Sequence, residues 1–142
     1  MKNSIIIFTL FIISTTISAQ SYDGLGDHKL NAGYEIYGYG SGVKTSYDYG
    51  LSELFSLGAG FTYFFDDDEN DYFIFARTNV HFGELFDLPE ALDIYPGVEI
   101  GYLSRGDIGI CGYLGIRYFF TERFGIFAEL GSDGAVGLSI NL

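Results

Sequence analysis

Apolar and polar residues alternate with a period of two along the chain after Asp27, and long stretches at helical spacing are missing from the sequence. Clusters rich in glycine, serine, aspartate and asparagine interrupt this alternation, as turns do between strands. The pattern predicts eight β-strands, over residues 28–39, 42–52, 54–65, 71–82, 93–104, 108–120, 123–131 and 134–142. In the longest connection, 83–93, we expect a short helical turn.

Each predicted strand has one apolar, uncharged face, because alternate side chains of a strand point to opposite sides. In the second strand, for example, Val43 and Tyr47 share one face, and Lys44 and Asp48 share the other. The opposite face carries glycine, serine and asparagine together with all the mid-strand charges. These charges are Lys29, Glu35, Lys44, Asp48, Arg77, Glu99, Arg117 and Glu129.

Two architectures fit this alternation. A soluble sandwich or barrel would turn the apolar face inward, whereas a transmembrane barrel would turn it towards lipid. Strands of about 9–11 residues suit a tilted membrane crossing. Aromatic residues near the strand ends, as at 64–65 and 119–120, fit interfacial girdles, and small polar-face residues fit a narrow lumen. The mid-strand charges comprise four basic and four acidic residues. This balance suits a low-dielectric interior, where unpaired charges are costly.

We therefore predict an all-β fold, an eight-stranded antiparallel up-and-down transmembrane β-barrel, whose lumen holds the eight mid-strand charges as one network. A barrel this narrow is filled by its own side chains, so a plugged polar interior with a structural or surface-interaction role is expected, not a pore. A soluble periplasmic β-barrel that binds a small apolar ligand is an alternative.

The first nineteen residues have the layout of a secretory signal peptide. Lys2 precedes an apolar run from Ile5 to Ile13, and small residues end at Ala19. The predicted domains are a signal peptide, 1–19, and a barrel, 28–142, located in the cell outer membrane after export. An even number of strands places both termini on the periplasmic side. The surface loops are then 40–42, 65–71, 104–107 and 131–134, all of them short.

Composition narrows the function further. The formal net charge is −12 with only seven Lys and Arg residues, which disfavours nucleic acid as a partner. The single cysteine, Cys111, excludes an internal disulfide, and its inward position requires no redox role.

Three stretches carry a resemblance to a known family: "TISAQ", "LSELFSLGAGFTYFF" and "LPEALDIYPGVEIGYLSRG". Over residues 28–142 the chain resembles the small eight-stranded outer-membrane β-barrels of Gram-negative bacteria, of the OmpA/OmpX transmembrane-domain type. In particular it is similar to small uncharacterised outer-membrane barrels of Bacteroidota. The resemblance implies outer-membrane lipids and the outer-membrane assembly machinery as partners. Many such proteins end on an aromatic residue, whereas this chain ends on Leu142.

Some outer-membrane barrels modify lipid, so an outer-membrane lipid-modifying enzyme is a further alternative. Such an enzyme needs a nucleophile near an oriented base. His81 is the one histidine inside a predicted strand, but the topology places it near the periplasmic end, away from surface lipid; His28 precedes the first strand. A structural, hydrogen-bonded His81 is therefore expected, and no catalytic residue is predicted.

Metal and cofactor signals are weak. Asp66, Asp68 and Asn70 follow the D-x-D-x-N opening of a calcium loop, but Asp71 replaces the required glycine and Arg77 stands at the twelfth position. We interpret the segment 66–71 as a solvated acidic loop, with weak divalent-cation binding as a minor hypothesis. No metal site or cofactor is predicted.

Overall fold

The computed structural model describes residues 19–65 and 70–142. Within these ranges the strands are β1 (His28–Tyr37), β2 (Gly42–Gly50), β3 (Phe55–Phe64), β4 (Tyr72–Val80), β5 (Leu92–Leu103), β6 (Ile108–Phe119), β7 (Phe124–Gly131) and β8 (Gly134–Asn141). Each strand pairs antiparallel with its neighbour in sequence, and β8 pairs with β1 to close the barrel. The predicted eight-stranded antiparallel up-and-down β-barrel is confirmed. Its strand boundaries lie within two residues of those expected.

Burial alternates along the strands because one face meets the lumen and the other faces outward. In β2 the alternation has no exception: Lys44, Ser46 and Asp48 are buried, and Val43 and Tyr47 are exposed. The outward side chains of Phe61, Ile100 and Leu138 are 38%, 53% and 52% exposed, respectively. A soluble barrel that holds an apolar ligand would require the opposite orientation, so this alternative is inconsistent with the structure.

The two ends of the barrel differ in what they carry. We call the end where β1 begins and β8 ends proximal; it holds the segment 19–27 and the connections 51–54, 81–91 and 120–123. The distal end holds the connections 38–41, 104–107 and 132–133, together with residues 65 and 70–71. The signal-peptide prediction, apart from Ala19, and residues 66–69 of the acidic loop lie outside the described residues.

The N-terminal strap, defined as residues 19–27, folds back across the proximal end. Its Ser21 amide donates to the Glu90 carbonyl at 2.8 Å, and its Gly26 amide donates to the Gly50 carbonyl at 2.8 Å. The proximal connection 81–91 contains hydrogen-bonded turns, with the Phe86 amide donating to the Phe82 carbonyl. In the part of the chain that the structure describes, no helix is long and apolar enough to cross a membrane.

Glycines in the lumen face large rings across the strand pairs. Gly115 lies opposite Tyr95, Gly97 opposite Tyr113, and Gly60 opposite Phe75. A Cβ atom added to Gly115 would lie 2.3 Å from the Tyr95 ring. The absent side chain therefore makes room for an inward ring on the next strand, and these rings fill the lumen.

The aromatic pairs at the strand ends serve two purposes, and the girdle prediction is only half right. Phe65 and Phe120 point outward, but Phe64 and Phe119 are buried in the lumen. Consecutive residues of a strand point to opposite faces, so one ring of each pair must turn inward. Phe64 joins a distal apolar cluster, which also contains Phe73, Phe75, Leu103 and Cys111, with Tyr39 packed against it.

Candidate functional site

The structure places the eight predicted lumen charges inside the barrel, each at most 2% exposed. They come from six strands and reach their positions because each lies in phase with the small polar residues of its strand. The eight residues are Lys29, Glu35, Lys44, Asp48, Arg77, Glu99, Arg117 and Glu129.

Arg77 of β4 connects three other strands. Its guanidinium lies 2.6 Å from the Glu129 carboxylate, 3.3 Å from that of Glu99, and 3.1 Å from that of Asp48. It also lies over the Tyr113 ring, 5.0 Å from the centroid. The cation is therefore surrounded by carboxylates at the centre of the lumen, where it has no contact with solvent or lipid.

Lys44 of β2 forms a second centre nearer the distal end. Its Nζ lies 2.9 Å from Glu99 and 3.0 Å from Asp133, and 3.8 Å from both Glu35 and Glu129. Glu99 and Glu129 contact both Lys44 and Arg77, so the two centres form one network.

The remaining two predicted cations lie nearer the proximal end. Arg117 lies 3.5 Å from Asp48 and 4.6 Å from the Tyr95 ring centroid, and it thereby extends the Arg77 network. Lys29 instead pairs with Asp27, at 2.6 Å, and lies 5.2 Å from the Phe119 ring centroid. Contacts thus join seven of the eight predicted residues, while Lys29 forms a separate pair with a residue of the strap.

The eight mid-strand charges are four positive and four negative, as counted from the sequence, but the interior as a whole is not balanced. Among residues 19–65 and 70–142, six carboxylates are buried against four Lys and Arg side chains, because Asp93 and Asp133 also face the interior. Asp93 begins β5 with the same parity as Glu99, a signal that a count restricted to mid-strand residues omits. Asp133 lies in the β7–β8 turn, where strand parity gives no information.

A second polar cluster lies at the proximal end of the lumen. His81 Nδ1 lies 2.5 Å from Asp93, and His81 Nε2 lies 2.8 Å from the Ser56 hydroxyl. Asn79 Nδ2 donates to the same hydroxyl at 3.2 Å. The order Ser56–His81–Asp93 is that of a nucleophile, a base and an orienting acid. Of these three residues the sequence pattern points to His81 alone, since Ser56 and Asp93 are its neighbours only across the folded sheet.

The strap covers this cluster. The Tyr22 ring stacks on the His81 ring at 3.5 Å between centroids, and the Tyr22 hydroxyl donates to the carbonyl groups of Ser52 and Phe55 at 2.7 and 2.8 Å. Burial and the neighbouring Asp27 carboxylate raise the pKa of Tyr22 well above its usual value. Burial also lowers the pKa of His81, although Asp93 opposes this shift.

A cavity of about 370 Å³ lies between the strap and the connection 81–91. His81 and Asp93 form part of its wall, but Ser56 does not. Its wall also contains five more acidic residues, which are Asp23, Glu53, Glu84, Asp87 and Glu90. The neighbouring Glu84 raises the pKa of the exposed Glu53, first through a side-chain hydrogen bond and then through its negative charge. The proximal end of the barrel is therefore strongly acidic.

The two other candidate residues from the sequence, His28 and Asn70, contact neighbouring side chains and backbone. His28 begins β1 with an exposed side chain, and its ring contacts Tyr47 and Tyr49 on the outside of the barrel. Asn70, the one described member of the calcium-like spacing, accepts a hydrogen bond from the Arg105 amide at 3.3 Å. Because its other members lie outside the described residues, the calcium hypothesis stays a prediction.

Comparisons with known proteins show the fold of the chain. Residues 66–136 match the model of a family described as "Family of unknown function (DUF6646)". No curated protein gives a significant match. A solved barrel from the de novo design of transmembrane β-barrels is 15% identical, with a TM-score of 0.71, and the match covers 84% of this chain and 98% of that one.

The N-terminal β-barrel domain of OprF from Pseudomonas aeruginosa is also similar. It is 15% identical, with a TM-score of 0.61, and the match covers 84% of this chain and 100% of that one. At this identity the likeness shows the fold, a small eight-stranded barrel that resembles outer-membrane barrels, and leaves the function open.

Proposed function

We propose a function from the geometry of the chain, because the family to which it belongs, the Family of unknown function (DUF6646), assigns none. The protein is an integral barrel of the outer membrane, related in design to the OmpA/OmpX transmembrane domains. Its interior is closed by charged and aromatic side chains, and its role is structural or surface interaction, without pore or enzyme activity.

One observation carries this proposal: the ionic residues are inside and the apolar residues are outside. Arg77 is 2% exposed and bound to three carboxylates, whereas its strand neighbours Ile74 and Ala76 face outward. Exposed aliphatic and aromatic side chains recur around the whole barrel, on every strand. Water would make this surface unfavourable, while the hydrocarbon core of a bilayer matches it.

The filled lumen supports a closed barrel. The side chains of Arg77, Tyr95, Arg117 and Glu129 cross the interior and are buried. Tyr95 donates to Glu129 at 3.0 Å, so rings and charges are bonded to each other inside the barrel, which supports a closed lumen. Eight-stranded barrels in general have interiors just wide enough for side chains.

The outer-membrane lipids and the outer-membrane assembly machinery are the proposed partners. The lipids would contact the outward side chains, and the assembly machinery would bind the last strand, β8. That strand presents Val136 and Leu138 outward.

Fractionation tests the membrane assignment. The full chain, produced in a Gram-negative host, is expected in the outer-membrane fraction and in a compact form on unheated gels that changes mobility after boiling. Recovery in the soluble periplasmic fraction would overturn the proposal. Planar-bilayer recordings test closure: the folded barrel should give no stable conductance steps, and steady channels would show that the lumen is open.

Hydrolysis is a second candidate function, and the Ser56–His81–Asp93 geometry is the observation that favours it. We place it second because the Ser56 side chain is buried, at 1% exposure, and does not line the proximal cavity. A fluorophosphonate probe should therefore leave the folded protein unlabelled. Labelling that disappears in Ser56→Ala would establish a reactive serine and replace the structural role with an enzymatic one.

A further inference from the structure

We propose that Glu99, Cys111 and Asp133 form a binding site for a divalent metal ion of the Zn²⁺ type inside the distal half of the barrel. One ligand atom from each residue, a thiol sulfur and two carboxylate oxygens, lies within 4.8 Å of the other two. All three side chains are at most 2% exposed. Movements of less than about 1 Å would bring these atoms to the 2.0–2.3 Å bond lengths of zinc ligands.

The fold brings the three ligands together from distant parts of the chain. Glu99 and Cys111 are direct partners in the β5–β6 register, and both point into the lumen. Asp133 lies in the β7–β8 turn and reaches the same place from there. Its side chain is buried in the interior instead of facing solvent. Two of the ligands therefore stand on paired strands and the third on a turn.

An excess of buried negative charge is independent evidence for a cation here. Five carboxylates contact the three cations Lys44, Arg77 and Arg117. They are those of Glu35, Asp48, Glu99, Glu129 and Asp133. Three cations therefore face five carboxylates. Uncompensated charge is costly in a dry interior, so the excess must be neutralised by protons or by a bound cation.

Two oxygen atoms at this location have no hydrogen-bond partner. Asp133 Oδ1 and Glu35 Oε1 are both buried and unbonded, although Asp133 Oδ2 accepts from Lys44 at 3.0 Å and Glu35 Oε2 accepts from Thr62 at 3.0 Å. Buried polar atoms are nearly always bonded in folded proteins. A metal ion beside Asp133 would bond its free oxygen.

The donor set selects the class of metal. Thiolate sulfur favours Zn²⁺ and chemically similar soft ions, whereas Mg²⁺ and Ca²⁺ require oxygen ligands throughout. Binding would release the Cys111 thiol proton, so a dication adds one net positive charge to the network. The Lys44 ammonium, which already contacts Glu99 and Asp133, is the competing cation.

The test uses Cd²⁺ as a probe, because a cadmium–thiolate bond has an ultraviolet charge-transfer band. Metal-free full-length protein is refolded in detergent micelles, with Cd²⁺ added before refolding in one series and afterwards in another, since Cys111 also packs in the distal apolar cluster. We expect the band to saturate at one ion per barrel and Zn²⁺ to displace the Cd²⁺. Folding of each sample is checked by unheated gel mobility.

Four variants make the result decisive. Cys111→Ser should abolish the band, and Asp133→Asn should weaken binding by about tenfold or more. Lys44→Met should strengthen binding, because it removes the competing cation. Asp107→Asn, which changes an exposed carboxylate of the distal loop 104–107, should have no effect. A folded wild-type protein without the band, or an unchanged affinity in folded Asp133→Asn, would overturn the three-ligand site.

Discussion

The Arg77 guanidinium donates to the Glu129 carboxylate at 2.6 Å, although 52 residues separate the two along the chain. The contact spans the lumen from β4 to β7, strands that are not paired with each other. The bond therefore crosses the barrel interior and depends on the closed arrangement of the strands. It links two strands that no backbone hydrogen bonds join.

The first prediction concerns this cation. Arg77→Met removes one partner and leaves the carboxylates of Asp48, Glu99 and Glu129 buried together. We expect it to lower the free energy of unfolding by about 3–5 kcal/mol, the usual cost of breaking a buried ion pair. Urea titrations of the barrel in micelles or vesicles, followed by unheated gel mobility, measure the change.

The matched control is Arg105→Met in the distal loop 104–107. Arg105 pairs with Asp107 at 2.9 Å, but both side chains are about half exposed. An exposed pair contributes about 0–1 kcal/mol. Equal losses in the two variants would show that the burial of Arg77 has no energetic consequence.

The second prediction concerns the glycine–ring pairs. In Gly115→Ala the new Cβ would lie 2.3 Å from the Tyr95 ring, and the displaced ring would lose its bond to Glu129. Overpacking of this kind costs about 1–3 kcal/mol. On the same strand, Gly112→Ala meets no atom within 4 Å and should be close to neutral. Denaturant titration of both variants gives the comparison, and a tolerated Gly115→Ala would contradict the tight packing.

The third prediction concerns the outward surface. Ile100 faces outward from β5 and pairs with Ala76, the central residue of β4. In a bilayer, Ile100→Arg should cost about 2–4 kcal/mol, because a charge at this depth meets hydrocarbon. Folding yields into lipid vesicles measure the effect. Leu25→Arg, in the exposed strap, is the control; if both arginines are tolerated equally, lipid does not surround β5.

The fourth prediction is a dependence on pH. Burial lowers the pKa of His81 below its ordinary value of 6.5, so near this pH the unfolded chain binds a proton that the folded chain does not. Stability therefore falls as the pH drops below about 6.5, by at most about 1.4 kcal/mol per pH unit from this group. Denaturant titrations at pH 7.5 and pH 5.5 measure the loss.

His81→Asn should reduce this loss, and His28→Asn should leave it unchanged. The exposed His28 is the other of the two histidines in the sequence, so it controls for the general effect of removing an imidazole. Hydrogen exchange at the Ser21 amide gives a local measure, since Tyr22 beside it stacks on His81. The same acid sensitivity in both variants would assign the effect to other groups.

Much of the fold was predictable from local chemistry. The alternation at Lys44, Ser46 and Asp48 predicts both the strand and its inward face, because a strand has a side-chain period of two whatever its partners are. The same parity places Arg77 among the buried charges. Parity does not apply to Asp133, because this residue lies in a turn, and a count of mid-strand positions alone leaves out Asp93.

The sequence by itself determined the number of strands, their boundaries to within two residues, and which side chains share a face, since these depend on neighbours only a few residues away. The tertiary structure alone decided which charges meet. Lys29 and Glu35 share a face in β1, yet Lys29 binds Asp27 of the strap and Glu35 lies with Lys44. Likewise Ser56, His81 and Asp93 become one hydrogen-bonded cluster, and Asp133 turns inward. Such contacts depend on the register and closure of eight strands, and a one-dimensional pattern carries no measure of distance across a barrel.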